Sequence, residues 1–326
     1  MRGDKMHHAW LLTGPKGIGK ASFAKAVTLK MLAEFSGYPC PGQSLEVPEN
    51  HPAAQLVKAR SHPDFKLVER EIWEKPPKIK VTPFDERKPD DQPAKSIRVV
   101  QIRWLEPILA MAPSQSAVRV VLIDAADELE INAANALLKM LEEPPKGTIF
   151  LLVSHASGRL LPTIRSRCRA LRFGALDDAA MTSVLRSHLP EATSQEIAAL
   201  VAAGEGSPGR ALSFAGLDIA GIDASLARLS TTGDLNNVER STLAQKLSTK
   251  AAQARYKAFI VRAPAYIAAQ ARMRQGDDLA VALDQWQAAK SLSQTAISGS
   301  LEPQSVVFAL ASHVAALAPV GTAAKA

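Results

Sequence analysis

The stretch Gly14-Pro15-Lys16-Gly17-Ile18-Gly19-Lys20-Ala21 has the residue types and spacing of a phosphate-binding loop in every position but the last. In such a loop Gly14, Gly17 and Gly19 let backbone N–H groups approach phosphate oxygens. The start of the following helix adds a favourable dipole, and Lys20 brings a positive charge. The next position calls for Ser or Thr, whose hydroxyl ligates the magnesium that bridges the outer phosphates, and Ala21 has no oxygen to offer. Ser22 does not replace it, because one residue further along an α-helix is turned by about 100°. The stretch therefore reads as a phosphate loop with a degenerate metal site, and nucleotide binding or its loss both stay open. The alternative is a glycine-rich strand-to-helix turn kept for packing.

A second set of residues points the same way. In ATPases built on such a loop another strand ends in an Asp that orients magnesium, followed by a Glu that activates water. Asp124 closes the β-branched run from Val118 and fits the first role, but Ala125 stands where the Glu is needed. Asp127 and Glu128 read better as a helix-start cap with a favourable dipole interaction than as replacements. Loss of both the hydroxyl and the carboxylate predicts that the chain alone does not hydrolyse ATP. Cys40 and Cys168 are neither a disulfide framework nor a zinc pair, so reduced thiols are expected. His51 and His62 do not complete a tetrahedral metal set around Cys40, so no zinc or other metal is expected.

Strands alternating with helices must hold these residues. Ala9-Trp10-Leu11-Leu12 runs into the loop, and Phe23, Val27 and Met31 follow it at helical spacing to about Glu34. Ser36 to Gly42 breaks the pattern and opens an insertion over about 36–95. Within it Phe65 to Val68 reads as a strand, and Lys75 to Lys95 as an exposed, mobile loop rich in Pro and charge. The strand Val118–Asp124, a helix from Ile131 to the Pro144-Pro145 stop, and the strand Thr148–Val153 complete an α/β parallel sheet. Beyond Phe173 the pattern turns helical, with helices starting at Asp177-Asp178, near Ser194, and near Arg210 after Gly206-Ser207-Pro208-Gly209. Residues 216–223 read as a linker to a helical bundle ending in an Ala-rich tail.

The 326 residues allow two or three domains, and the 47% hydrophobic and 22% charged composition is that of a soluble globular protein. No apolar run spans a membrane and the start lacks a signal core, so a cytoplasmic location is expected. The net charge of +7 favours an anionic partner, but Lys and Arg are dispersed and aromatics make up only 5%, which fits a solvated basic surface better than a base-stacking platform.

The block from Asn132 to Pro145, with Leu137-Leu138-Lys139-Met140-Leu141-Glu142-Glu143 at its core, and Thr163-Ile164-Arg165-Ser166-Arg167-Cys168 resemble the bacterial clamp-loader AAA+ family. The lead-in His7-His8-Ala9-Trp10, His62-Pro63-Asp64 and Gly206 to Arg210 agree, so the resemblance covers roughly residues 7–215. Within that family the degenerate loop resembles the delta-prime type of DNA polymerase III subunit rather than the ATP-hydrolysing gamma/tau type. The resemblance implies an AAA+ domain over 1–173, a helical lid over 174–216 and a helical collar over 224–326. It implies that Arg167 reaches in trans toward ATP held by a neighbouring subunit, a task suited to a planar guanidinium. The other reading of Arg167 is a structural arginine paired with a carboxylate.

Ser154 and Arg210 fall at the two nucleotide-sensing positions, and Ser154 could equally cap its own turn. The implied cofactor is ATP, bound weakly or not at all. The implied partners are gamma/tau and delta subunits, with the sliding clamp and primed DNA reached through the complex. The loop follows close behind Met1, so the segment that holds adenine in relatives is expected to be lost, unless the start lies upstream. The four-cysteine zinc module of several relatives is also missing. No acidic triad for two-metal nucleotidyl transfer is present, so polymerase activity would belong to the assembly. The rival readings are a gamma/tau-type ATPase and a module that binds DNA directly.

Overall fold

The apolar runs that the sequence offers as strands around Asp124 and Ser154 are buried almost without a break, so helices must cover both of their faces. A computed structural model describes residues 6–40, 42, 44–70, 94–299 and 301–319. The chain divides into two units, Met1–Leu176 and Asp177–Ala326. In chain order the first holds β1 (Ala9–Thr13), α1 (Lys20–Glu34), α2 (Pro52–Lys58), β2 (Phe65–Glu69), α3 (Val99–Arg103), α4 (Leu105–Leu109), β3 (Arg119–Asp124), α5 (Ile131–Glu142), β4 (Thr148–Ser154), α6 (Pro162–Arg167) and β5 (Arg169–Arg172). The strands form one sheet in the order β2-β3-β4-β1-β5, and every pairing is parallel.

Successive strand residues face opposite sides, so each strand feeds two cores. Leu11, Val121, Ile123, Phe150 and Leu152 pack with Ile102, Leu105, Leu137, Leu141 and Ile164 of α3 to α6. Leu12, Val120, Leu122, Leu151 and Val153 pack with Ala24, Val27, Met31 and Leu32 of α1 and Ala53 of α2. Both faces of the sheet are thus covered, as an all-parallel sheet requires. The expected α/β sheet is present, with one strand that the sequence did not announce. Arg169-Ala170-Leu171-Arg172 has little apolar character because β5 is an edge strand with mostly exposed side chains, paired with β1 alone. Residues 71–93, which include most of the proposed mobile loop Lys75–Lys95, lie outside the described residues, as does the Ala-rich tail from Val320.

His62-Pro63-Asp64 turns out to be structural. Asp64 is fully buried and accepts hydrogen bonds from the N–H groups of Ser114 (2.8 Å), Gln115 (2.7 Å) and Ser116 (3.0 Å). It faces Arg119 Nη2 at 3.6 Å, and the Arg119 guanidinium donates to the carbonyls of Ile108, Met111 and Ala112. This buried pair moulds the segment between α4 and β3. Buried charges persist only where such bonds replace lost hydration.

Among its described residues the second unit holds helices joined by turns and no strand: α7 (Asp178–His188), α8 (Ser194–Gly204), α9 (Pro208–Leu212), α10 (Ile219–Thr232), α11 (Val238–Leu247), α12 (Gln253–Ala271), α13 (Gly276–Ser298) and α14 (Pro303–Ala315). Asp177 caps α7 through the Ala180 N–H, and Thr193 and Glu196 cap α8 reciprocally. Two boundaries differ from the sequence reading. The helix expected near Arg210 starts at Pro208, because proline is tolerated in the first turn, where no N–H bond is needed. The proposed linker 216–223 is largely helix. Asp218 caps α10 through the Gly221 N–H, and Ile219, Ile222, Leu226 and Leu229 form one continuous buried face. α14 packs against α10, α11, α12 and α13, with Val307, Leu310, Ala311 and Val314 fully or almost fully buried.

Removing one half of the buried pair should be costly. Asp64→Ala is expected to lower stability by about 3–5 kcal/mol, as for other broken buried pairs. Denaturant unfolding followed by circular dichroism checks this. An Asp64→Leu, Arg119→Met double variant should recover much of the loss if the uncompensated Arg119 charge is its source.

Candidate functional site

All strands run the same way, so their carboxyl ends gather along one edge of the sheet, where open α/β sheets place ligands. The glycine loop leaves β1 there. The register sets Thr13 level with Ser154 on one side and Arg172 on the other, and Asp124 level with Val153. Gly14 has φ +147°, and a Cβ at that position would lie 2.4 Å from the Phe173 carbonyl oxygen, so any side chain there would collide with backbone. Gly19 holds the left-handed conformation, φ +92°, that turns the loop into α1. Gly17 has φ +83° in the same loop.

Lys20 is 2% exposed, and its ammonium donates to the carbonyls of Gly14 (2.7 Å) and Pro15 (2.6 Å). Burial lowers its pKa below the usual lysine range, against the opposing pull of Asp124 and Asp127. Here the lysine clasps its own loop. The Ala21 methyl packs against the core beneath α1, and Ser22 is exposed.

Asp124, Ser154 and the loop do converge, and the neighbouring carboxylates have other tasks. The cap reading of Asp127 and Glu128 is corrected by the structure: α5 begins only at Ile131, after Glu130, and the two acids lie in a separate 3-10 turn, Ala126–Glu128. Asp127 Oδ1 accepts from the His155 N–H (2.8 Å), which ties the turn after β3 to the end of β4. Glu128 Oε2 accepts from Arg70 Nε (2.8 Å); burial raises the Glu128 pKa and Arg70 opposes it. Ala125 is buried at the position of the expected Glu. Ser154 is fully buried and its Oγ has no hydrogen-bond partner, so it does not cap its own turn. His155, the next residue, also has a buried Nδ1 without a partner, and burial followed by the Lys20 charge keeps its pKa below the usual histidine range.

Two expected site residues are held by local partners of their own. Arg167 ends α6, where Nη2 donates to Glu142 Oε1 (2.6 Å) and Nη1 to the Thr163 carbonyl (3.4 Å). Arg210 belongs to the second unit and pairs through Nη1 with Glu205 Oε2 (2.8 Å). Cys168 lies against the sheet core, and burial pushes its thiol up to about 11, so it stays protonated at neutral pH. No sequence pattern signals the Arg70–Glu128 and Arg167–Glu142 pairs, whose partners are dozens of residues apart. Asp127 could have been noticed as a carboxylate too near the end of a buried strand to start the next helix.

This donor set fits a phosphate better than a metal–phosphate pair. The loop has the backbone shape of an anion cradle, and an unpartnered hydroxyl lies near it. Neither Ala21 nor Ala125 offers magnesium an oxygen. Gly14→Ala is expected to cost about 1–3 kcal/mol, the usual penalty for a strained backbone position, read from the denaturant midpoint. ATP affinity is expected to differ by less than about threefold between magnesium and EDTA in equilibrium titrations; a tenfold gain with magnesium would reveal a metal ligand outside these residues.

Known proteins resemble the chain over its first unit. The model of the family described as "DNA polymerase III, delta subunit" matches residues 1–177. The delta' subunit of DNA polymerase III from Pseudomonas aeruginosa is 36% identical over 201 residues, covering 62% of this chain and 53% of that protein. The Bacillus subtilis delta' subunit is 31% identical over 179 residues, covering 55% and 45%. This chain therefore matches about half the length of each relative. Among solved structures, a gamma-subunit-related protein of Thermotoga maritima superposes with a TM-score of 0.45 at 14% identity, covering 96% of this chain and 95% of that one. The match to the family model takes in the whole sheet unit, from the strand before the glycine loop to the strand after Arg167, and the chain belongs to the DNA polymerase III delta-subunit family.

Proposed function

We propose that this chain is the delta-prime, or stator, subunit of a DNA polymerase III clamp loader, and that it helps place the sliding clamp on primed DNA without hydrolysing ATP itself. One observation carries the reading: a phosphate loop with intact backbone turns has alanines at both positions that should serve magnesium and water, while Lys20 is satisfied by its own loop. Family membership and the delta' names of the relatives support it. A gamma/tau-type ATPase would need the oxygens that Ala21 and Ala125 lack.

In this reading ATP binds weakly or not at all at Gly14, Gly17, Gly19 and Lys20, with Asp124, Ser154 and Arg210 as remnants of a working site. Arg167 acts in trans on ATP held by a neighbouring gamma/tau subunit, where its fork of donors would stabilise charge on the transferring phosphoryl group. Delta is the other protein partner, and the clamp and DNA are met through the complex. We further propose that residues 174–216 are a lid and 224–326 the collar through which subunits assemble. Exposed Met273, Val281, Leu283 and Ile297 give this bundle apolar surface for a partner. Among the described residues no helix is long and apolar enough to cross a membrane, and a cytoplasmic site of action is part of the proposal.

The isolated chain should hydrolyse ATP no faster than background; turnover abolished by Lys20→Ala would overturn the degenerate-site reading. In complexes reconstituted with gamma/tau and delta, Arg167→Ala should preserve assembly by size exclusion but slow DNA- and clamp-stimulated hydrolysis. Arginines supplied in trans contribute about 10³–10⁵ at one site, and the other sites of the assembly mask part of that loss. Arg167→Lys should restore little, since a point charge lacks the fork. Wild-type turnover in an assembled Arg167→Ala complex would remove Arg167 from the mechanism.

A further inference from the structure

Arg167 does not project freely from α6. Its two terminal nitrogens are both engaged, Nη2 by Glu142 Oε1 at 2.6 Å and Nη1 more loosely by the Thr163 carbonyl at 3.4 Å. These nitrogens form the end-on edge of the guanidinium, one of the edges with which an arginine grips two phosphate oxygens. The backbones on both sides are fixed from below. Glu142 ends α5 beside Leu141, and Arg167 ends α6 three residues after Ile164, and both apolar side chains are buried in the same core. The charged heads themselves remain within reach of solvent, with side-chain exposures of 37% for Arg167 and 41% for Glu142. A fixed pair of backbones with solvent-exposed heads allows the partners to be exchanged without unfolding either helix.

We propose that Glu142 is a positioning residue that parks the Arg167 guanidinium in the free subunit and gives it up to the phosphates of a nucleotide on a neighbouring subunit. This rests on the trans-acting reading of Arg167 above. A triphosphate carries more negative charge than one carboxylate and presents paired oxygens to the fork. A half-exposed ion pair in water is weak, so the exchange is favourable and its cost small. Parking leaves only a fraction of the arginine available at any moment, and the apparent affinity for its target falls by that fraction. It also fixes the rotamer of a long side chain, so the free subunit does not offer an unattached guanidinium to other anions. Thr163 holds the second nitrogen with a longer bond, so Glu142 is the partner whose loss changes the balance.

The test uses complexes reconstituted with gamma/tau and delta and carrying wild-type chain, Glu142→Gln, Arg167→Ala or both, with ATP titrated under DNA and clamp stimulation. Glutamine keeps the shape and an acceptor oxygen but removes the charge. The expected result is that Glu142→Gln lowers the ATP concentration for half-maximal hydrolysis about two- to fivefold, the range set by an exposed pair, with kcat unchanged. The same substitution should have no effect in the Arg167→Ala background. Glu142→Asp, which draws the carboxylate back by one methylene, should shift the titration in the same direction. It also serves if the Gln variant fails to assemble.

A lower kcat in Glu142→Gln, or a shift that persists without Arg167, would overturn the parking role in favour of an orienting or structural one. An unchanged titration beside a defective Arg167→Ala complex would overturn parking alone. A fully active Arg167→Ala complex would take down the trans-acting reading and this inference with it.

Discussion

Parallel pairing of β1 with both β4 and β5 is the constraint on which the rest of the sheet unit depends. Parallel neighbours cannot be joined by a tight hairpin, so each connection must cross the sheet, and the crossing helices cover both faces. The same pairing brings the carboxyl ends of all strands to one edge. Gly14 can then pass the Phe173 carbonyl at a distance that leaves no room for a Cβ, and Ser154 and Asp124 end beside the loop. The site is a consequence of strand direction and register rather than of any one residue.

Charge in this crevice is largely satisfied from within. Lys20 is buried and bonded to two loop carbonyls, Asp127 holds the His155 N–H, and Glu128 holds Arg70. A working site would direct such groups at magnesium and water. Here they tie the loop, the turn after β3 and the end of β4 to one another, and Ala21 and Ala125 bring no oxygen beside them.

Two arginine–carboxylate pairs show how burial decides what an ion pair does. Asp64 and Arg119 are almost wholly buried, and each is surrounded by backbone groups that replace water, so the pair holds a loop in place and is costly to break. Arg167 and Glu142 lie closer together, yet both heads face solvent, where the net worth of a pair is small. The first is a structural fixture; the second is free to change partners.

Local chemistry made the loop, its missing hydroxyl, the strand ending in Asp124, the helix stopped by Pro144-Pro145 and the change to helices after Phe173 readable without coordinates. Each rests on periodicity, glycine or proline within a few residues. The edge strand β5 was hidden because exposure on one edge relaxes the demand for apolar side chains. The start of α10 was hidden because its Asp218 cap comes only two residues after Gly216, in a stretch that looks like a linker. Only the tertiary structure decided the partners of charged groups: His155 for Asp127, Arg70 for Glu128, Glu142 for Arg167, and the backbone around Asp64. An ion pair or hydrogen bond is chosen by distance and burial in three dimensions. Residues dozens of positions apart leave no periodic trace of that choice in the chain.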